Sequence, residues 1–515
     1  MEILRSLQNS PHPVNFKPAE VHLPLGLLSL LQPLHEKFTP WQMRLAQYRR
    51  SRRLAAHELK RFPDYNDMRP MGAERSDDAV PDQEPIELPS YLRDQRNQIT
   101  GPASDAKMVV GMANAESPGL MWDLEDSMVN RWEKSQAGFS NIVHGLHGEL
   151  PGIDPEKFKK TVPFVRVRGL HMSQWGVLDG AVSASLFDTV ALVHMLDLDR
   201  LPHRTLHLYI PKSESAAEAL WWAAMFRDVC KAKGWPEDAI KCMALVESHP
   251  LAFEMDKFIY VLRKNIVGLN IGRWDYMANQ TDYMRTNPKW VLPDRDTIPV
   301  DAPFFNNVRD MMIEACHAQG ILAIGGMTAI FPDKMDAELD AAAAKAVEED
   351  KKYESKQGCD GAWSGHPKQT TIAVAQFPVP NQLQVRKPWA HRLDLRPAPP
   401  KDLPVSEAGT RAAIRTAILY RVGVLNGLGA VMIRGTDGRN RMEDLATDRI
   451  CRVQIAQRLA LGIHSEDEVV KMFDQEKAKL VSSLPKENIL EAYERLIDAT
   501  RHTMTMIFRN DHDPA

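Results

Sequence analysis

Several side chains in this sequence have the type and spacing to do chemistry together. Glu247 and Asp275 each close an apolar stretch, in LVESHP and in GLNIGRWDY. Two carboxylates on neighbouring strand ends can offer oxygens to one hard cation, and magnesium suits such a pair. Each also has a local alternative: Glu247 as a cap for the helix starting near Pro250, Asp275 in a pair with Arg273. In VRVRGLH, period-two alternation sends Arg166 and Arg168 to one face, opposite Val165 and Val167. An arginine at a strand-end mouth would stabilise charge developing on a reacting oxygen, because guanidinium donates two hydrogen bonds and keeps its proton. The alternative is a structural ion pair with a rim carboxylate. Asp444, in RMEDLATDRICR, enters a helical pattern, where an acid in the first turn also complements the helix dipole. Trp363 and His366 in DGAWSGHP stand near a strand end, where a tryptophan can pack or line a ligand.

Such residues converge only if the chain brings strand ends together. From about 105 to 370, short apolar segments recur: KMVVGMA, LMWDLED, FVRVRGL, LHLYIPK, CMALVES, IVGLNIG, ILAIGGM and GAWSGHP. Helical patterns separate several of them, at 214–233, 250–264 and 303–319, and strand–helix alternation implies parallel pairing. This number of units predicts a closed (β/α)8 TIM barrel, whose chemistry sits on the loops after its strands. The expected organisation is a helical N-terminal segment and linker over 1–92, the barrel over 93–375, a proline-rich connector over 376–404 and an all-helical C-terminal domain over 405–515. Within the first part, 35–62 reads as a helix whose Arg49, Arg50, Arg52 and Arg53 form a solvated face, and 63–90 reads as a linker or surface loop. The alanine-rich stretch 337–354 reads as a solvent-facing helix.

Composition narrows the function classes. At 515 residues with 44% hydrophobic and 26% charged side chains, the chain is an ordinary globular sequence too long for one typical core. A net charge of −4 supplies no basic field for nucleic acid. Five scattered cysteines, never in CxxC spacing, point to a reducing compartment without a thiolate metal site. No signal-like start and no sustained apolar run suggest a membrane partner, so a cytoplasmic location is expected. GGM at 325–327 and GLG at 427–429 fit neither common nucleotide-binding glycine pattern.

In chain order, RNQITGP (96–102), DLEDS (123–127), VRVRGLH (165–171), DGAVSASLFD (179–188), IPKSES (210–215), LVESHPLAFEMD (245–256), IVGLNIGRWDY (266–276), CHAQGILAIGGMTAIFP (316–332), DGAWSGHP (360–367) and RMEDLATDRICR (441–452) resemble the malate synthase family, its A-type branch most closely. The resemblance implies condensation of acetyl-CoA with glyoxylate, then thioester hydrolysis to malate, within the glyoxylate cycle. It implies Glu247 and Asp275 as ligands of Mg2+, with Glu125 and Asp126 supporting the metal-bound waters. Arg168 matches the arginine that stabilises the enolate and contacts glyoxylate, and Asp444 matches the catalytic base delivered by the C-terminal domain. Backbone amides near Trp274 and Asp275 are implied for the glyoxylate carboxylate, and Met327, Trp363 and Pro367 for the acetyl-CoA channel. The sequence departs from the family pattern in DLEDSMVNRW, at Ile271, after Tyr276 and over 1–92. Two further readings stay open: a malyl-CoA lyase-like enzyme or a synthase using another 2-oxo acid, and a catalytically silent barrel acting as a scaffold.

Overall fold

The computed structural model describes residues 23–60, 84–390, 393–397, 402–435, 437–482, 484 and 489–509. Most of the linker expected over 63–90 therefore lies outside the described residues. Among the described residues there are twelve strands: β1 (Asn97–Pro102), β2 (Gly119–Asp123), β3 (Val162–Arg166), β4 (Ser173–Leu178), β5 (Gly180–Ser183), β6 (Leu206–Ile210), β7 (Ile240–Val246), β8 (Ile266–Ile271), β9 (Leu322–Met327), β10 (Gly361–Ser364), β11 (Val431–Arg434) and β12 (Asn440–Glu443). Eight of them close a barrel in the order β1-β10-β9-β8-β7-β6-β3-β2, every neighbour parallel. This is the expected (β/α)8 barrel. Its strands β2, β6 and β8 are buried along their whole length, as strands covered on both faces must be.

Seven of the strands coincide with the apolar segments read from the sequence; the eighth does not. KMVVGMA is a helix, Ala106–Ala113, capped by Asp105, whose side chain accepts from the backbone N–H of Lys107 and Met108. Its buried residues Val109, Met112 and Ala113 recur at helical, not alternating, spacing. The strand in its place is β1, NQITGP, whose polar Asn97 and Gln98 are buried in side-chain hydrogen bonds rather than in apolar contact.

The N-terminal helix runs over Leu27–Leu59 and packs on the flank of the barrel. Here the expected solvated basic face is overturned in part. Arg49 is buried, with Nε and Nη2 on Glu218 at 2.6 and 2.5 Å, and Nη2 also donates to the carbonyl of Lys212 at 2.8 Å. Arg53 reaches Asp282 at 3.1 Å. These pairs tie the helix to the barrel helices Ala216–Lys233 and Arg273–Tyr283 instead of facing water.

At the other end, helices Glu407–Leu425, Leu445–Ala460, Glu466–Val481 and Ile489–Phe508 share a separate apolar core around Ile414, Ile418, Ile455 and Phe473. This domain is helical as expected, but it also contains the antiparallel hairpin β11–β12. The hairpin grips the loop after β9, because Phe331 N–H donates to Asn440 O and Met442 N–H to Ala329 O, both at 2.9 Å. Among the described residues no helix is long and apolar enough to cross a membrane.

Candidate active site

Strand register places the first pair at the barrel mouth. Asp123 at the end of β2 lies opposite Arg166 at the end of β3. Arg166 Nε and Nη2 donate to the two oxygens of Asp123, each at 2.6 Å, and its Nη1 stands 3.3 Å from Glu125 and 3.6 Å from Asp126. The structure does not bring Arg168 to this mouth. β3 ends at Arg166, so the alternation that would keep both arginines on one face ends there too. Beyond it the backbone turns outward: Arg168 N–H donates to Asp188, its Nη2 meets Asp188 at 2.6 Å, and its Nη1 meets Asn130 at 3.0 Å. The structure thus places Arg166, not Arg168, at the mouth, and Arg168 takes the structural ion pair.

Next to Arg166 an ammonium sits among acids. Lys212, two residues past β6 and with a left-handed φ of 50°, places Nζ 2.5 Å from Asp126, 3.1 Å from Glu125 and 3.1 Å from Asp275. Glu247 follows β7 directly and accepts from Lys212 N–H at 2.6 Å. No side-chain cap is present on the Pro250–Phe253 turn, so the capping alternative for Glu247 fails. Asp275 accepts from Arg449 Nη1 at 3.1 Å, while Arg273 turns away to the carbonyls of Ile298 and Pro299, so the Arg273 pairing fails as well. Gly272 makes the approach of the two loops possible: a Cβ there would lie 2.8 Å from Oε2 of Glu247.

The acids outnumber the cations, and their proton affinities register it. Burial, opposed by Lys212 and aided by Asp275 and Asp126, pushes Glu247 up to about 8. Burial and Asp126 raise Glu125 well above the carboxylate range, and burial with Asp275 raises Asp126 against the pull of Lys212. Lys212 stays charged against its own burial because Asp126, Asp275, Glu125 and Glu247 surround it. Asp275, held by Lys212 and Arg449 against burial, is shifted down. Both oxygens of Glu125 and Oδ1 of Asp126 are buried with no hydrogen-bond partner among the described residues. Unsatisfied buried oxygens, surplus negative charge and an all-oxygen donor set fit a hard divalent cation. Among the described residues no three acidic, histidine or cysteine side chains already form a metal cage.

Asp444 reaches the same chamber from the C-terminal domain, at the turn from β12 into helix Leu445–Ala460. Its side chain caps that helix by accepting from Ala446 N–H at 3.1 Å, yet it also lines the chamber with Asp126, Arg166, Glu247 and Asp275. Burial, then Asp126 and Asp275, push its carboxyl up to about 7. Arg295 fixes the approach from the barrel side by pairing with neighbouring Glu443 at 2.8 Å. Helix Arg273–Tyr283 starts in the chamber wall at Trp274 and Asp275 without a side-chain cap, so its first N–H groups are available to an anion.

A largely apolar channel leads into this chamber between barrel and C-terminal domain, past Met108, Met128, Met327, Phe331, Trp363 and Leu428. Met327 and Trp363 both stand in this wall. Pro367 is not in the wall; it opens helix Pro367–Val374. Trp363 is held by its Nε1 donating to Gln98 Oε1 at 3.0 Å, which Tyr209 OH also approaches at 2.6 Å. Lys212, which closes the apolar segment LHLYIPK, was legible in the sequence as a strand-end residue on this rim. Arg449 is the central residue that sequence reasoning passed over, because nothing local marks it inside ATDRICR.

A parallel barrel that gathers carboxylates, a guanidinium and an apolar channel under an acid carried by a helical module defines a barrel enzyme with its site between two domains. Family models agree: "Malate synthase, TIM barrel domain" matches residues 162–394 and "Malate synthase, C-terminal" matches 405–507. The chain is 35% identical to malate synthase A of Escherichia coli K12 over 385 residues, 72% of this chain and 71% of that protein. It is 34% identical to the malate synthase of Myxococcus xanthus over 430 residues, 79% of this chain and 77% of that one. The solved Haloferax volcanii malate synthase pyruvate/acetyl-CoA complex shares the fold, with a TM-score of 0.50 at 16% identity over 79% of this chain and 98% of that one. The chain belongs to the malate synthase family.

Proposed function

We propose that this chain condenses the methyl carbon of acetyl-CoA with glyoxylate and hydrolyses the resulting thioester to malate and CoA, with magnesium held by Glu247 and Asp275, in the glyoxylate cycle of the cytoplasm. The observation that carries this reading is that Asp444, Arg166, Glu247 and Asp275 line one chamber although they come from four separate stretches of chain. A thioester methyl group is so weakly acidic that its proton leaves only as the oxygen gains a partner. Asp444 accepts that proton, and its raised proton affinity makes it a stronger base than a solvent carboxylate. Arg166, fixed by Asp123, donates to the enolate oxygen as charge develops there. The free amides at Trp274 and Asp275 hold the glyoxylate carboxylate, which sets the face of the aldehyde carbon that is attacked. Magnesium, when bound, polarises the glyoxylate carbonyl. Met327 and Trp363 line the path of the acyl chain and keep bulk water from the enolate.

Thiol release from acetyl-CoA is the direct test: free CoA appears when glyoxylate and magnesium are both present, and its absence overturns the reading. The lyase-like alternative predicts intact malyl-CoA as the final product. Delivery of Asp444 by a dedicated helical domain favours the synthase, whose products on chromatography are malate and CoA.

A further inference from the structure

His171, on the loop after β3, takes no part in the steps above, yet it stands beside the acids that carry them. Its side chain is 5% exposed, and neither ring nitrogen has a hydrogen-bond partner among the described residues. Nε2 lies 3.6 Å from Oε1 of Glu125, just beyond hydrogen-bond range, and that carboxylate is itself without a hydrogen-bond partner. The placement of the ring is built. Gly169 leaves room for it, since a Cβ there would fall 2.6 Å from Nδ1. Gln42 of the N-terminal helix donates to the carbonyls on both sides, Leu170 at 2.6 Å and Met172 at 3.1 Å. The same ring lines a polar cavity together with Lys212, Glu247 and Ser248, on the side of the mouth that faces the N-terminal helix.

A buried imidazole with both nitrogens unsatisfied costs stability that an apolar side chain of similar size would not. Packing alone therefore gives no reason for histidine here. Burial, together with Lys212, Arg49, Arg449 and Arg166, keeps the ring neutral, so it has one N–H to donate and one nitrogen to accept. The oxygens of Glu125 that face it, without a hydrogen-bond partner, can accept.

We propose that His171 is a positioning residue: its Nε2–H donates to Glu125 and aims that carboxylate at the cation held between Glu247 and Asp275. This rests on the metal placement given above. Orienting a carboxylate beside a metal site in this way governs metal affinity without touching substrate.

The test compares His171→Phe, which removes the donor, with His171→Gln, which keeps one. Magnesium binding is measured by calorimetry on the substrate-free enzyme, and melting temperature is measured without metal. The expected result is that the phenylalanine variant melts no lower than the parent without metal but binds magnesium about 10–100-fold more weakly. The glutamine variant recovers most of that affinity. Unchanged magnesium affinity in the phenylalanine variant, a loss that glutamine does not recover, or a lower metal-free melting temperature with affinity intact each overturns the proposal. Thiol release by the parent enzyme is assayed alongside. If it fails, the catalytic reading falls, while the calorimetry still decides the role of His171.

Discussion

Buried acids occur in two regions of this molecule, and they behave in opposite ways. Along the seam between barrel and C-terminal domain each acid has its arginine: Glu443 with Arg295 at 2.8 Å, Asp294 with Arg458 at 2.5 Å, and Asp448 with Arg421 at 2.5 Å and Arg452 at 2.8 Å. Asp448 is held below the usual carboxylate range by those two arginines even though burial works against it. At the mouth, buried Glu125, Asp126 and Glu247 and half-buried Asp444 are all shifted upward, and only Asp275, with Lys212 and Arg449 on it, is shifted down. Burial is common to both regions, so partner count decides the sign. Glu443–Arg295 and Asp294–Arg458 fix one domain on the other, while Asp448 braces two helices of the C-terminal domain at that seam. The mouth keeps a surplus of negative charge that destabilises the protein until a cation and substrate arrive.

The contrast breaks most severely at the base. Asp444→Asn should slow thiol release by about 10²–10⁴-fold while calorimetry still finds acetyl-CoA bound. An unimpaired rate would mean that this acid belongs with the seam. The two arginines of VRVRGLH give the next largest separation. Arg166→Gln should lower kcat by roughly 10²–10³-fold, the cost of one donor to a developing oxyanion. Arg168→Met should instead leave the specific activity of folded protein near that of the parent and reduce unfolding free energy by about 3–5 kcal/mol, because Asp188 is left buried and unpaired. The reverse pattern would restore Arg168 to the mouth.

The smallest effect concerns stability. In the fold Glu247 holds its proton up to about 8, above the value of about 4.3 for an unfolded glutamate. The folded state binds more protons than the unfolded one between these values, so stability falls as pH rises through that window. Glu247→Gln removes this penalty and keeps an oxygen for Lys212 N–H. Its metal-free melting temperature should exceed that of the parent by more at pH 8 than at pH 5, and equal differences at the two pH values would remove the surplus-charge account.

Much of the architecture was legible because it is local. Apolar runs ending in polar residues mark seven barrel strands, and the C-terminal helices follow from their periodicity. β1 was missed because its buried residues include Asn97 and Gln98, which pack by hydrogen bonding rather than by apolar contact. KMVVGMA was misread because a short apolar run does not distinguish strand from helix until its Asp105 cap is counted. The hairpin β11–β12 draws its register partly from Ala329 and Phe331, about a hundred residues away in sequence.

By itself the sequence determined the chemical inventory: which carboxylates and arginines stand at strand ends, and that a barrel followed by a helical module carries them. Only the tertiary structure decided their neighbours. It put Arg166 rather than Arg168 at the mouth, set Lys212 among the acids, buried Arg49 in a pair, and brought Asp444 across from another domain. The physical reason is that strand and helix periodicities act over a few residues, whereas charge pairing depends on strand register and domain docking between residues remote in the chain. Residue types can therefore be read one at a time, but the balance of charge among them exists only once the chain has folded.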